Sequence, residues 1–303
     1  MKTYRFKLRP LTPWSTPWQA DTIFGSLCWE MLRLEGQDAL RRFLQQFDAD
    51  EPPFIISDAL PDGWFPRPLF LQLHQLPGLN FKAKMPDWLA EDQFRQSIRE
   101  PGKLLPQSCW PELMRSSREL HASIDRFYGG TGGEGNLFEV QQWSFQKEVH
   151  RDSRQLCLYV KTRHSLALVT SLIRALATSG FGKKKSVGRG AFELTEEAQP
   201  CEWMDGTDGA NGFISLSHFV PAPADPIDGV WDLLTKYPKY GANAPSRTPF
   251  KGRLTLLRPG SAFRVREDVR PFYGKLLRNL DKDYPDPVHY GLAFAVPMRW
   301  PQA

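Results

Sequence analysis

Residues Thr178 to Gly190 read Thr-Ser-Gly-Phe-Gly-Lys-Lys-Lys-Ser-Val-Gly-Arg-Gly. Few folds accommodate such a stretch. Glycines admit positive φ and let backbone amides approach a bulky partner. Three consecutive lysines and an arginine add charge on the same bend. Amide donors beside clustered cations suit a phosphate-rich ligand. Upstream, Leu166, Val169, Ile173 and Leu176 recur at helical spacing, and Gly180 falls where a helix-ending glycine is expected. Downstream, Ala191 to Leu194 reads as a short strand. The order is helix, glycine loop, strand. A Walker A loop or a dinucleotide fingerprint runs from strand to helix. The spacing fails as well: a P-loop needs glycine at Ala177 and Ser or Thr at Lys184, and the dinucleotide pattern needs glycine at Lys185. A nucleoside-triphosphate site is therefore not expected. The plainer alternative is a solvated basic turn.

Charge points the same way. The net charge of +5 is unevenly spread. Lys147 to Gly190 holds ten Lys or Arg against Glu148 and Asp152, and Pro245 to Lys282 holds ten against three acids. Two basic stretches in an otherwise balanced chain predict a polyanionic partner. Cys28, Cys109, Cys157 and Cys201 lie far apart with no metal-ligand spacing, so they read as buried free thiols in a reducing compartment. No cofactor or metal is expected. Asp21 and Asp58 have no carboxylate partner at useful spacing, and Asp21 reads as a helix cap. The N-terminus lacks a signal-peptide core and no run is long and apolar enough to span a membrane, so a cytoplasmic protein with no membrane partner is expected.

In chain order, Thr3 to Arg9 alternates as a strand. Asp21 to Phe47 carries a helical stripe, interrupted near Gly36. Phe54 to Asp58 is a short strand. From Leu60 onward prolines recur, with Trp64, Phe65, Phe70, Phe81 and Trp88 among cations. This predicts an insertion with little regular core and one short helix within 86–99. Its aromatics either stack on bases or pin the insertion to its own domain. Glycines at 129–135 mark a hairpin tip. Asn136 to Phe145 and Gln155 to Lys161 read as strands. Without the insertion the order is β-α-β-β-α-β, a ferredoxin-like unit. The expected organisation is an α+β chain: a domain at 1–196 with an insertion at 60–135 and the glycine-rich loop at 179–190, a linker at 197–211, and a second domain at 212–303. The second domain is expected to carry a helix over Ile227 to Leu234, with strands at 251–257, 261–265 and 288–296.

Five blocks in order carry a resemblance. They are Thr12-Pro-Trp-Ser-Thr-Pro with Asp21-Thr-Ile-Phe-Gly-Ser-Leu-Cys-Trp; Pro53-Phe-Ile-Ile-Ser-Asp-Ala-Leu-Pro with Phe65-Pro-Arg-Pro; Ile124-Asp-Arg-Phe with Gly135-Asn-Leu-Phe; the 179–190 loop; and Pro249-Phe-Lys-Gly-Arg-Leu-Thr-Leu-Leu-Arg-Pro-Gly-Ser. Together they resemble the Csm4 family, the Cas5-group RAMP subunits of type III-A CRISPR effector complexes. The resemblance implies two ferredoxin-like (RRM-like) domains and binding of the crRNA 5′ handle. It also implies contact with the large Cas10-type subunit (Csm1) and the backbone subunit Csm3, and it does not imply catalysis.

On this basis Gly180, Gly182, Lys183, Lys184, Lys185, Ser186, Gly188, Arg189 and Gly190 are expected against handle phosphates. Phe181 is the first candidate for stacking on a splayed base, its alternative being a ring tucked under the loop. Arg126, Phe127, Lys251 and Arg253 are further RNA-binding candidates, with Arg126 alternatively paired to Asp125 or Glu139. A second hypothesis is a metal-independent endoribonuclease that processes pre-crRNA. It would need an acid and a base among His121, His150, His164 and Tyr159, none of which sits in a recognisable pair. A third is a protein-interaction subunit whose main interface is the proline-rich insertion.

Overall fold

The computed structural model describes residues 1–71, 87–101, 112–124, 127, 129–130, 137–241, 250–280 and 287–301. The first half is built on a four-stranded antiparallel sheet. Its strands are β1 (Lys2–Pro10), β2 (Phe54–Pro61), β7 (Leu156–Thr162) and β8 (Phe192–Pro200), in the order β2-β7-β1-β8. Two helices pack on it and on each other, α1 (Ala20–Asp48) and α3 (Leu166–Ser179).

The α1 stripe predicted from spacing is the buried face: Ile23, Phe24, Leu27, Met31, Phe43 and Phe47. Its interruption is real, since Gly36 sits at φ 83° and ψ 177°, outside helical geometry. β7 is buried along its whole length. Tyr159 on this strand faces Phe65 (5.7 Å between ring centroids) and Phe294 of the second half (6.4 Å).

Between β2 and β7 lie β3 (Trp64–Pro66), β4 (Trp88–Ala90), α2 (Glu91–Arg99) and a long hairpin of β5 (Met114–Ala122) and β6 (Leu137–Phe145). The helix expected within 86–99 is α2. The expectation of little regular core is corrected: Phe65, Leu89, Phe94 and Ile98 are buried in the main core, and Phe65 stacks on Phe94 at 4.7 Å. Phe65 thus pins the insertion rather than offering a ring to a base; Phe81 lies outside the described residues.

The second half carries a five-stranded antiparallel sheet, β10-β13-β9-β15-β14, and a separate β11–β12 pair. These are β9 (Gly212–Ser215), β10 (Gly229–Val230), β11 (Leu233–Lys236), β12 (Leu254–Leu257), β13 (Ala262–Arg264), β14 (Phe272–Leu277) and β15 (His289–Met298). The helix expected over Ile227–Leu234 is absent. The chain there is extended, with β11 pairing to β12 (Leu233 opposite Leu257) and Ile227 and Trp231 left exposed. Among the described residues no α-helix lies beyond α3.

The linker expected at 197–211 is also corrected. β8 runs on to Pro200, Met204 is fully buried, and Asp205 accepts from the Thr3 backbone amide at 3.2 Å. One hydrophobic cluster contains Phe6, Phe24, Ile56 and Leu172 from the first half with Ile214, Tyr290, Phe294 and Val296 from the second. The two halves share a core.

Candidate nucleic-acid interface

The glycine loop is a closed bend. Ser179 ends α3 and Gly180 caps it at φ 77°. The amide of Phe181 donates to the Gly190 carbonyl at 2.9 Å, which closes the neck. Inside the neck the chain makes a short 3₁₀ turn, Lys185–Val187, entered through a left-handed Lys184 (φ 63°). Its bonds run from Val187 N to Lys184 O (3.2 Å) and Gly188 N to Lys185 O (3.0 Å), leaving the amides of Lys185 and Ser186 at its head outside them. Successive amides that follow a left-handed residue form an anion-facing concavity.

The segment after β1 braces this bend from below. Gly190 N donates to Pro13 O (3.1 Å), Ala191 N to Thr12 Oγ1 (3.1 Å) and Lys183 N to Thr16 Oγ1 (3.0 Å). Two glycines are required here by contact. A Cβ on Gly190 would stand 1.9 Å from the Phe181 carbonyl oxygen, and one on Gly182 2.7 Å from Thr16.

Lys183, Lys184, Lys185, Ser186 and Gly188 are exposed. Partial burial, then the neighbouring Lys239, holds Lys183 below the ordinary lysine range. The Lys184 ammonium lies over the Phe138 ring of β6, 5.1 Å from its centroid. Arg189 is not a free cation: its guanidinium is paired with Glu119 on β5. The hairpin and the loop are thereby joined into one surface.

Phe181 is corrected. It is fully buried and stacked on Trp18 (4.0 Å, 19° between planes), so it anchors the loop from beneath and is not available to a base. Lys251 is corrected as well. Its ammonium donates to Val288 O at 2.8 Å, and burial lowers its pKa against the pull of Asp21 and Cys28. Arg253 is exposed, one residue before β12. Phe127 is 95% exposed at the β5–β6 tip. Arg126 and Asp125 lie outside the described residues, and Glu139 pairs with Arg118.

A second cluster, which the sequence did not disclose, ties the halves together. A register shift in β2 between Ile56 and Ala59 turns Asp58 out of the ladder, as bulges do. Asp58 accepts from Ala20 N at the start of α1 (2.8 Å) and contacts His218 Nδ1 (2.6 Å). His218 Nε2 meets Gln19 Nε2 (3.3 Å), and Gln19 Oε1 accepts from Lys236 (2.8 Å). Lys236 pairs with Asp21, which is buried and is no cap: α1 begins at Ala20, after Gln19. Burial opposes the Asp21 charge, but Lys236 and His289 hold its pKa below the usual carboxylate value. The His289 ring stands 3.1 Å from that carboxylate, out of line for a hydrogen bond, and burial pushes it down to about 4.

The nuclease candidates are scattered. His164 is exposed before α3, His150 faces Asp152 in the turn before β7, His121 stacks on Phe138 of the hairpin, and Tyr159 is buried. Cys28, Cys157 and Cys201 are free, and burial raises all three thiols, Cys28 to about 12; Cys109 lies outside the described residues. Among the described residues no cluster could hold a metal, and no helix is long and apolar enough to cross a membrane.

Comparisons with known proteins agree with the block pattern. No family model matches the chain. A curated relative, the CRISPR system Cms protein Csm4 of Streptococcus thermophilus, is 26% identical over 298 residues, 92% of this chain and 89% of the relative. A chain of a Csm1–Csm4 cassette in complex with AMPPNP superposes with a TM-score of 0.61 at 18% identity, covering 100% of both chains. A chain of the Csm3–Csm4 subcomplex of the type III-A CRISPR-Cas interference complex gives 0.59 at 12% identity, covering 99% of this chain and 100% of that one. The resemblance to Csm4 therefore holds along nearly the whole sequence, and the mixed α/β fold along the whole structure.

Proposed function

Taking this similarity to Csm4 as the starting point, we propose that the chain is a non-catalytic crRNA-binding subunit of a type III-A effector complex in antiviral defence. It holds the 5′ handle across the 180–190 loop and docks a Csm1-type large subunit and a Csm3-type backbone subunit. The observation that carries this is the loop itself: three exposed lysines and unpaired amides on a bend held rigid by Phe181 and by the Thr12–Thr16 segment. The partners follow from the names of the similar structures. The β2-β7-β1-β8 order with α1 and α3 supports a ferredoxin-like first domain, and that kind of sheet commonly presents RNA-binding surfaces. The protein works in the cytoplasm, where guide RNA is handled.

The test is charge reversal of Lys183, Lys184 and Lys185 together. Each phosphate neutralised contributes about 0.7 to the salt slope on a single strand. The triple variant is expected to lose most affinity for a handle-bearing RNA, and its slope is expected to fall by about 2. Unchanged affinity and slope would remove the loop from the interface. The absence of catalysis is tested by incubating the protein with repeat RNA without metal. Binding without cleavage is expected; specific cleavage abolished by His164→Ala would favour the endoribonuclease. The separation of His121, His150 and His164 on different elements supports the non-catalytic reading, since an acid and a base must reach one phosphodiester.

A further inference from the structure

We propose that Arg189 and His121 form a seat for one phosphate of the RNA strand, and that in the free chain the Glu119 carboxylate occupies it as an internal stand-in. This rests on the proposed RNA-binding role of the loop and gives a task to a loop cation that the free chain keeps neutralised. Arg189 belongs to the same turn as the lysines, since its backbone amide donates to the Lys184 carbonyl at 3.1 Å. Its guanidinium meets Glu119 Oε2. Glu119 and His121 are two residues apart on β5 and so share one face of the hairpin. His121 Nε2 stands 3.4 Å from that same Oε2. The imidazole is stacked on Phe138 (5.7 Å, 15° between planes), and that ring also carries the Lys184 ammonium.

The carboxylate fills this seat without satisfying it. His121 Nε2 is shielded from water and has no hydrogen-bond partner, because one oxygen is asked to serve two nitrogens and is aligned with only one. Buried polar atoms left in this way are rare and call for an explanation. A phosphodiester carries two charged oxygens splayed about a tetrahedral centre, so one can meet Arg189 and the other His121. Arginine is also the side chain best matched to phosphate. The exchange is cheap. Glu119 is 41% exposed and Arg189 22%, so water and a strand can reach the pair, and a pair so exposed is weak. A strand already held on Lys183 to Lys185 presents its next phosphate at high local concentration, which a free anion does not.

The test measures binding of a handle-bearing RNA by the full-length protein across a salt series. Glu119→Gln is expected to raise affinity about fivefold and to steepen the salt slope by about 0.7, because Arg189 then meets a phosphate with no carboxylate to expel. Glu139→Gln removes the same charge from the opposite face of the hairpin, where Glu139 pairs with Arg118, and is expected to change affinity by less than about twofold. In the Glu119→Gln background, Arg189→Gln is expected to abolish the gain in affinity and slope. His121→Phe, which keeps the stacked ring, is expected to lose about threefold there. Thermal midpoints matching the parent confirm folded variants. Parent affinity in Glu119→Gln, equal gains in Glu119→Gln and Glu139→Gln, or a gain that survives Arg189→Gln would overturn the proposal, and the loop keeps its role if reversal of Lys183 to Lys185 still abolishes binding. If that reversal changes nothing, both fail. Inorganic phosphate, matched in ionic strength to a chloride control, is expected not to displace RNA from Glu119→Gln; selective displacement would make the seat one for a free anion and overturn its assignment to a strand.

Discussion

Phe181 shows how one side chain can change role once its neighbours are known. In the sequence it stands between two glycines and before three lysines, the place of an exposed stacking ring. In the fold it lies flat on Trp18, with Phe192 edge-on to the same indole at 5.0 Å. Removing it empties a core position, so Phe181→Ala is expected to cost about 3–5 kcal/mol in urea unfolding. Phe181→Leu, which keeps most of the volume, is expected to leave RNA affinity per folded molecule within about twofold of the parent. A tenfold loss of affinity in a fully folded Phe181→Leu would return the ring to the interface. Gly190 is stricter. At φ 70°, with the Phe181 carbonyl where a Cβ would go, Gly190→Ala is expected to cost about 2–4 kcal/mol, read as a lowered denaturation midpoint. Gly188, also at positive φ but with open space around it, is expected to cost about 1 kcal/mol for the backbone strain alone.

Among elements, long periodic ones were legible. The α1 stripe, its break at Gly36, the run of α3 into Gly180 and the alternation of β1 all follow from spacing that only one backbone geometry satisfies. The failures lie where tertiary contact decides. Ile227, Val230, Trp231 and Leu234 fit a helical face, yet the stretch is extended because β13 and β12 offer it partners. β5 escaped notice because Met114–Ala122 is mostly polar and exposed on its own hairpin. That hairpin is tied to the loop by Glu119 with Arg189 and by Phe138 beneath Lys184. The ion pair is partly exposed and contributes at most about 1 kcal/mol, so its main effect is positional. Glu119→Gln is expected to leave the melting temperature within about 2 °C of the parent while freeing Arg189, seen as faster protease cleavage within the hairpin tip. Unchanged cleavage would show that the cation–π contact suffices.

For the molecule as a whole, charge counted along the chain overstated charge at the surface. Lys161, inside the first basic stretch, is buried with its ammonium on the Ala295 carbonyl, and burial lowers its pKa to about 8. Arg174 pairs with Glu197, Arg270 with Asp225 and Arg278 with Asp48. Sequence distance hides such partners, and so it hid the Asp58–His218–Gln19–Lys236–Asp21 chain between the halves. That chain predicts a pH signature. His289 is held neutral, so the unfolded chain binds a proton that the fold refuses between about 6.5 and about 4. Stability is therefore full above pH 6.5 and falls as pH drops through that window, on the order of 2–3 kcal/mol. Asp21, with its depressed pKa, extends the loss below the ordinary carboxylate range. Urea midpoints at pH 7.5 and 4.5 are expected to differ more in the parent than in His289→Gln. An equal drop in both would place the sensitivity elsewhere.

The common core has a practical corollary for anyone hoping to dissect this protein. Phe24 rests on Tyr290, and the Tyr290 hydroxyl reaches back to the strand at Ile56. A fragment stopping at Pro200 would bare those rings to water, and the complementary fragment would bare theirs. Truncations should therefore yield insoluble material, whereas the two pieces produced side by side in one cell should find each other and reassemble.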